Sequence, residues 1–280
     1  MKHKIQLLTW VLLTLGILAP LSAQNRGALK FDVIEKHHNY NLTSATLSPK
    51  YKHEMHIKYA LDGDKSVKDF VNSQINGLVL GSVYKSIPTP QAIDNYLDEK
   101  TKLYLKDIKR EYDEDRAHTA ISQKDLISRY SYSIKYDTDI LGYWNCILTY
   151  KFNWYDSKYG STGIIGTTYM NLDLYNFKLL EYQDIFIPSS KETITQLVKK
   201  EILKQIGANS NEEAENKGYQ LHNLEPSAKF VLKPDGVYFV YEPHELQSHE
   251  REDLIVHLSY AQLKKYMNAN NTAIRMIIPR

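Results

Sequence analysis

The apolar residues of this chain change their spacing partway along, and that change limits the fold more than any other feature. Between residues 66 and 80 they fall at Val67, Phe70, Val71, Ile75 and Leu78; between 91 and 114 they fall at Ile93, Tyr96, Leu97, Leu103, Tyr104 and Ile108. Both sets make one apolar stripe on a helix. Then the period drops to two. Tyr130, Tyr132, Ile134 and Tyr136 alternate within 126–136, Trp144, Cys146, Leu148, Tyr150, Phe152 and Trp154 within 144–155, and Met170, Leu172 and Leu174 within 167–175. Alternation turns one face of a strand to a core. Met55, Ile57, Tyr59 and Leu61 show it earlier, in 51–61. Residues 24–49 read as a polar lead-in with one short strand at 29–34. A helix is expected at 192–206, capped by Ser189 or Ser190 and ended by Gly207. A polar loop or short acidic helix follows at 209–217, and a last strand at 274–278. Strands and helices are grouped rather than alternating. The expected fold class is therefore α+β, with antiparallel sheets packed with a few amphipathic helices.

The chain opens with Lys2, His3 and Lys4, an apolar run at 7–18, and the small-residue exit Pro20-Leu21-Ser22-Ala23. That is the pattern of a secretory signal peptide, 1–23, and its apolar run is short for a membrane span. The expectation is an exported protein, periplasmic or extracellular, with no membrane span after cleavage. The whole chain has 35 basic and 33 acidic side chains, and removing Lys2 and Lys4 leaves 33 of each. A neutral chain argues against nucleic acid and against broad binding to anionic membranes. Cys146 is the single cysteine, so no internal disulfide can form, and its neighbours Trp144 and Ile147 suggest a buried structural thiol. Tyrosine is abundant, 22 against 7 Phe, which suits half-buried strands with the hydroxyl in water. Such a sheet could stack on carbohydrate or protein; plain sheet core is the simpler reading.

Motifs of catalysis are weak. His244 and His249 flank Glu245 and Glu250 in a zinc-protease-like order, but the spacing is five rather than four. On a helix five residues place the two rings about 140° apart. His53 and His56 fall on opposite faces of a strand and read as a solvated strand edge. The glycine-rich run 160–166 lacks the lysine and the following helix of a phosphate loop, and reads as a turn or a bulged strand. No catalytic residue, metal or cofactor is expected.

The stretch 224–267 is the most specific. Residues 229–233 and 237–241 flank Pro234-Asp235-Gly236, a hairpin in which Pro234 sets the first corner and Gly236 takes a positive φ. Pro243 stops the second strand. A polar loop spans 244–253, a strand 254–258, and Ser259 caps a helix at 260–267. This order resembles the C-terminal domain of the RsiV-type lysozyme-binding anti-sigma factors, which also follows the N-terminal domain of PdaC-type peptidoglycan deacetylases. The match runs through Phe230, Asp235, Gly236, Val237 and Tyr238–Tyr241 in the hairpin and Pro243, Glu245 and Leu246 in the loop. Ser259, Tyr260, Leu263 and Tyr266 carry it in the last helix; 171–174 and 180–186 match upstream. The chain departs from the pattern at His244 and His249, where aromatic residues are usual. It departs again at Gly160-Ser161-Thr162-Gly163, where a Gly-Gly-Ala-His-like turn is usual.

The resemblance implies two regions, 24–157 and 158–280, and a lysozyme-like protein or peptidoglycan as ligand. The cytoplasmic segment of the first family and the metal-dependent catalytic domain of the second are not seen. The expected function is thus an exported, non-catalytic recognition module of the cell envelope. A cell-envelope hydrolase using the 244–250 loop is the alternative. The expected contact residues are Glu242, His244, Glu245, His249, Glu250 and Glu252, a mostly acidic set that suits a basic partner.

Overall fold

The computed structural model describes residues 28–117, 120–158, 161–246 and 252–278; the expected signal peptide lies outside them. The elements run β1 (Lys30–Asn41), β2 (Lys50–Asp62), α1 (Lys65–Val79), α2 (Thr89–Ala117), α3 (Gln123–Tyr130), β3 (Tyr132–Trp144), β4 (Ile147–Ser157), β5 (Ile164–Asp173), β6 (Lys178–Leu179), α4 (Tyr182–Ile185), α5 (Lys191–Gln205), α6 (Asn211–Asn216), β7 (Phe230–Lys233), β8 (Gly236–Tyr241), α7 (Pro243–Leu246), β9 (Leu254–Ser259), α8 (Tyr260–Leu263) and α9 (Thr272–Ile277). The class is α+β, as expected. Two sheets form, one in the order β1-β2-β3-β4-β5-β6 and one in the order β7-β8-β9. All pairings are antiparallel except β2 with β3, which is parallel. The cause is connectivity: α1, α2 and α3 lie between β2 and β3 in the chain and carry it back to the starting end.

The large sheet is covered by helices on one face and, over β3–β5, by the small sheet on the other. On one face Met55, Ile57, Leu148, Tyr150, Met170 and Leu172 pack with Val71, Ile75, Ile93 and Leu97 of α1 and α2. On the other face the intervening residues meet the small sheet. Thr149 Oγ1 donates to Leu232 O at 2.8 Å, and Asn171 Nδ2 donates to Phe230 O at 2.9 Å. The period of two in β4 and β5 thus turns Leu148, Tyr150, Met170 and Leu172 to the helices and Thr149 and Asn171 to β7, with Ile147 joining the core on the β7 side. Behind β7–β9 lies a separate core of Ile194, Val198 and Ile202 of α5, with Phe186, Phe239, Val256 and Ile274. The expected boundary at 157/158 falls between β4 and β5, neighbours in one sheet.

Several local expectations are corrected. The lead-in holds a strand of 12 residues, paired with β2 along its length; its polar sequence hid an edge strand with little to bury. Leu61 does not face the core but is 50% exposed, because a bulge opposite Lys30/Phe31 brings Ala60 inward instead. Residues Gln123–Tyr130 are helical, with Ser122 accepting from the Asp125 N–H; Leu126 and Tyr130, four apart, satisfy either period. Trp144 ends β3 and pairs with Ile147, so Asn145 (φ 50°) and Cys146 form the turn rather than strand interior. Cys146 is partly buried, its Sγ 3.7 Å from Met276 Sδ, and burial pushes its thiol up to about 11, so it is an unreactive thiol at neutral pH.

The C-terminal elements shift too. Residues 274–278 form no strand; Thr272–Ile277 is a helix whose first N–H groups, Ala273 and Ile274, are capped by Asn271 Oδ1. Ser190 sits at the start of α5, but its hydroxyl donates to Ile187 O and caps nothing. Gly207 does end α5, at φ 63°. Ser259 caps α8 as expected and forms a reciprocal pair with Gln262, although the helix stops at Leu263. Gly236 has no positive φ: Lys233 pairs with Gly236, leaving Pro234-Asp235 as the turn.

Candidate functional site

The hairpin β7–β8 and strand β9 hold the segment expected to make contacts. Residues 244–246 are not loop: Pro243–Leu246 is one helical turn. Pro fits the first position of a helix, where its missing N–H costs nothing. Glu245 Oε2 accepts the Glu242 N–H at 2.5 Å, half of a capping box, and the Glu242 carboxylate pairs with Lys229 Nζ at 2.5 Å. Glu242 and Glu245 therefore come together, while His244 lies exposed on the same turn. Glu252 is exposed just before β9; His249 and Glu250 lie outside the described residues. Among the described residues no group of three or more His, Cys, Asp or Glu is placed to hold a metal.

Beside α7 opens a cavity of about 560 Å³, lined among others by His222, Leu224, Glu225, Tyr241, Glu245 and Leu246. Its wall is tied together by backbone. Gln220 N donates to Leu246 O at 2.7 Å, and the buried Tyr241 hydroxyl accepts from Ser227 N at 3.2 Å and donates to Glu225 O at 2.8 Å. Burial raises the Tyr241 pKa, so the hydroxyl stays protonated and holds both bonds. Glu225 is paired with Lys191 Nζ at 2.7 Å and His222 with Glu215 at 2.8 Å. Glu245 has no ion-pair partner among the described residues; its carboxylate is exposed at the mouth, with Oε2 held by the Glu242 N–H. Nothing here places a nucleophile against a base; the arrangement offers an open acidic pocket with an apolar wall.

A second concave site lies on the helical face, between α2 and the starts of β2 and β3. It is a cleft of about 520 Å³ lined by Tyr51, Tyr96, Tyr104, Tyr132 and Tyr136, with Lys100, Asp107, Asp156 and Lys158 among its other residues. Tyr51 stacks on Tyr104 at 5.5 Å between centroids, and Tyr104 meets Tyr132 edge-on at 5.3 Å. The Tyr96 and Tyr136 hydroxyls share a 2.8 Å hydrogen bond. His53 is not on a solvated strand edge. It is wholly buried against Tyr51, Tyr96 and Tyr136, with Nδ1 2.9 Å from the Tyr51 hydroxyl and Nε2 without a hydrogen-bond partner among the described residues. Burial pushes its pKa down to about 3, so the ring is neutral. The surplus of tyrosine over phenylalanine was the sequence signal for this cleft. Its location was not legible, because the five residues come from three elements.

The acidic pocket falls entirely within the one segment that matches a described family: residues 183–261 match the model of a protein family of unknown function, DUF3298. These residues are a DUF3298 domain. The DUF3298 domain runs from inside α4 to the start of α8, and so holds α5, the small sheet and α7. Two crystal structures of such proteins resemble most of the chain. A DUF3298 family member from Bacteroides fragilis is 25% identical with a TM-score of 0.80, over 89% of this chain and 98% of that one. A DUF3298 family protein from Pseudomonas aeruginosa, 12% identical with a TM-score of 0.58, over 88% and 97%, shares the fold. No curated protein matches this chain.

Proposed function

We propose that this chain is an exported, non-catalytic recognition module of the cell envelope, and that its DUF3298 domain binds a basic protein of the lysozyme type. The observation that carries this reading is the open acidic pocket beside α7, with Glu245 at its mouth and an apolar wall of Leu224 and Leu246 behind it. An exposed carboxylate over an apolar floor complements the long basic side chains that dominate such a partner's surface, whose stems pack while their heads pair. The resemblance to the lysozyme-binding anti-sigma ectodomains points to the same partner class, and the residues that carry it include Pro243, Glu245 and Leu246 of α7. Export is supported by the pattern of residues 2–23. Peptidoglycan, the other implied ligand, would meet carboxylates here instead of aromatic faces.

The test is titration of the purified protein with a lysozyme at two salt concentrations. Binding should be saturable and should weaken as salt rises. Replacing Glu245, Glu250 and Glu252 together by Gln should lower affinity while leaving the melting temperature in place. Exposed charges contribute about 1 kcal/mol or less, and an amide oxygen in place of the Glu245 carboxylate can still cap α7. Unchanged affinity with unchanged salt dependence in the triple variant would remove this segment as the contact surface.

A further inference from the structure

We propose that the tyrosine-lined cleft between α2 and the large sheet is a second ligand site, and that it takes an oligosaccharide. The cleft is remote in the fold from the acidic pocket, which lies beyond the other face of the sheet, so this inference stands or falls apart from the lysozyme reading. Three features point to sugar. The first is size: about 520 Å³ lies inside the ~300–1,000 Å³ range of small-ligand sites.

The second feature is surface chemistry. A pyranose ring has an apolar C–H face and an edge of hydroxyls, and the cleft offers the matching pair through the half-buried Tyr136 ring and the rims of Tyr51, Tyr96, Tyr104 and Tyr132, whose bodies are buried. The charged groups balance, Lys100 and Lys158 against Asp107 and Asp156, which disfavours an anion or a cation and suits a neutral ligand. Four charges at the cleft equally disfavour a purely apolar one.

The third feature is an unmet hydrogen-bonding demand inside a rigid wall. Asp156 pairs with Lys158 Nζ at 2.8 Å through Oδ2, while its Oδ1 is shielded from solvent and has no hydrogen-bond partner among the described residues. The Asp156 side chain as a whole is 31% exposed, so a small turn of the carboxylate brings that oxygen to a sugar hydroxyl. The tyrosines around it are held before any ligand arrives. Tyr51 is fixed by His53 and Tyr104, Tyr96 by Tyr136, and the Tyr104 hydroxyl by Tyr130 O at 2.8 Å. Side chains already immobile lose little entropy on binding.

The experiment uses the purified protein with two probes, chitotetraose and cellotetraose, followed by calorimetric titration and by saturation transfer from the aromatic protons to the sugar. At least one tetrasaccharide should bind saturably, with transfer to its ring C–H protons, and comparison of the two tells whether acetamido groups are read. Asp156→Asn keeps the shape of the side chain and removes the charged acceptor; it should weaken binding by about tenfold, the scale of one charge-assisted hydrogen bond. Lys100→Ala, which removes the ammonium 5.2 Å from the Tyr96 ring centroid, should weaken it to a smaller degree, and Glu245→Gln should leave it unchanged. Absence of binding by both saccharides overturns the proposal. So does binding that survives both Asp156→Asn and Lys100→Ala, or a cleft that takes a peptide and no sugar.

Discussion

Asn171 of β5 pairs with Leu232 of β7 as if its side chain were a strand: Asn171 Oδ1 accepts the Leu232 N–H at 3.0 Å, while Asn171 Nδ2 donates to Phe230 O at 2.9 Å. A side-chain amide carries the donor and acceptor of a peptide unit, so one residue substitutes for a missing strand pairing between two sheets. Thr149 Oγ1 lies 2.8 Å from Leu232 O and 3.0 Å from Asn171 Oδ1. Its single proton serves the nearer carbonyl. This buried polar seam joins the DUF3298 domain to the helix-backed sheet.

Asn171→Ala strands the Phe230 carbonyl and the Leu232 N–H in the interior. Each unpaired buried group costs about 1–3 kcal/mol, so the expected loss is on the order of 2–5 kcal/mol in urea unfolding. Asn153→Ala, at a half-buried strand position, removes bonds to Asp137 at 3.2 Å and from Thr167 Oγ1 at 3.0 Å that water can replace, and should cost only about 1 kcal/mol. Equal losses in the two variants would show that the seam contributes nothing special.

Gly236 is required by crowding and not by backbone freedom. A Cβ built there would lie 2.3 Å from Leu258 O and 2.9 Å from Ser259 Cα, both backbone atoms of β9. Gly236→Ala must push β9 away from β8, an overpacking cost of about 1–3 kcal/mol or more. The expected signature is a lowered melting temperature with early exchange of the β8–β9 amides. An unshifted melting temperature would contradict the register of Gly236 with Ser259.

Acid should loosen the tyrosine cleft. His53 titrates at 6.5 in its ordinary state and at about 3 in the folded chain, chiefly from burial and then from the nearby His38 and Lys100 charges. Its folded pKa is depressed, so below 6.5 the unfolded chain binds the proton first. This contribution to stability is whole above pH 6.5 and is lost as pH falls toward 3. By linkage the loss at pH 5 is about 2 kcal/mol. His53→Gln, which cannot titrate, should flatten the stability profile between about pH 4 and 6.5 relative to the parent chain. Parallel profiles would mean that His53 takes up its proton alike in the folded and the unfolded chain.

Metal content separates the recognition reading from a hydrolase built on the 244–250 loop. Protein purified without chelator should hold far less than one zinc per chain, and its melting temperature in EDTA should be unchanged, because a bound structural or catalytic ion adds stability by mass action. Stoichiometric zinc that His249→Ala abolishes would reverse the assignment.

What the sequence decided by itself is local and periodic. The 3.6-residue spacing from Val67 and Ile93 specified two helices, alternation specified β2, β4 and β5, and Pro234-Asp235 and Ser259 marked a hairpin and a cap. These depend on neighbours a few residues apart, which a linear reading sees. What remained for the tertiary structure is non-local. Strand β1 is too polar to announce itself and is specified by β2 alongside it. The parallel pairing of β2 with β3 depends on three intervening helices. Ile274 to Ile277, apolar but for Arg275, became helix because Asn271 caps it and the core of α5 receives it. The sites divide in the same way. Glu242, His244 and Glu245 are close together in the chain and were legible as a group. Tyr51, Tyr96 and Tyr136 are far apart in sequence, and only the packing of α2 across β2 and β3 brings them around one buried histidine.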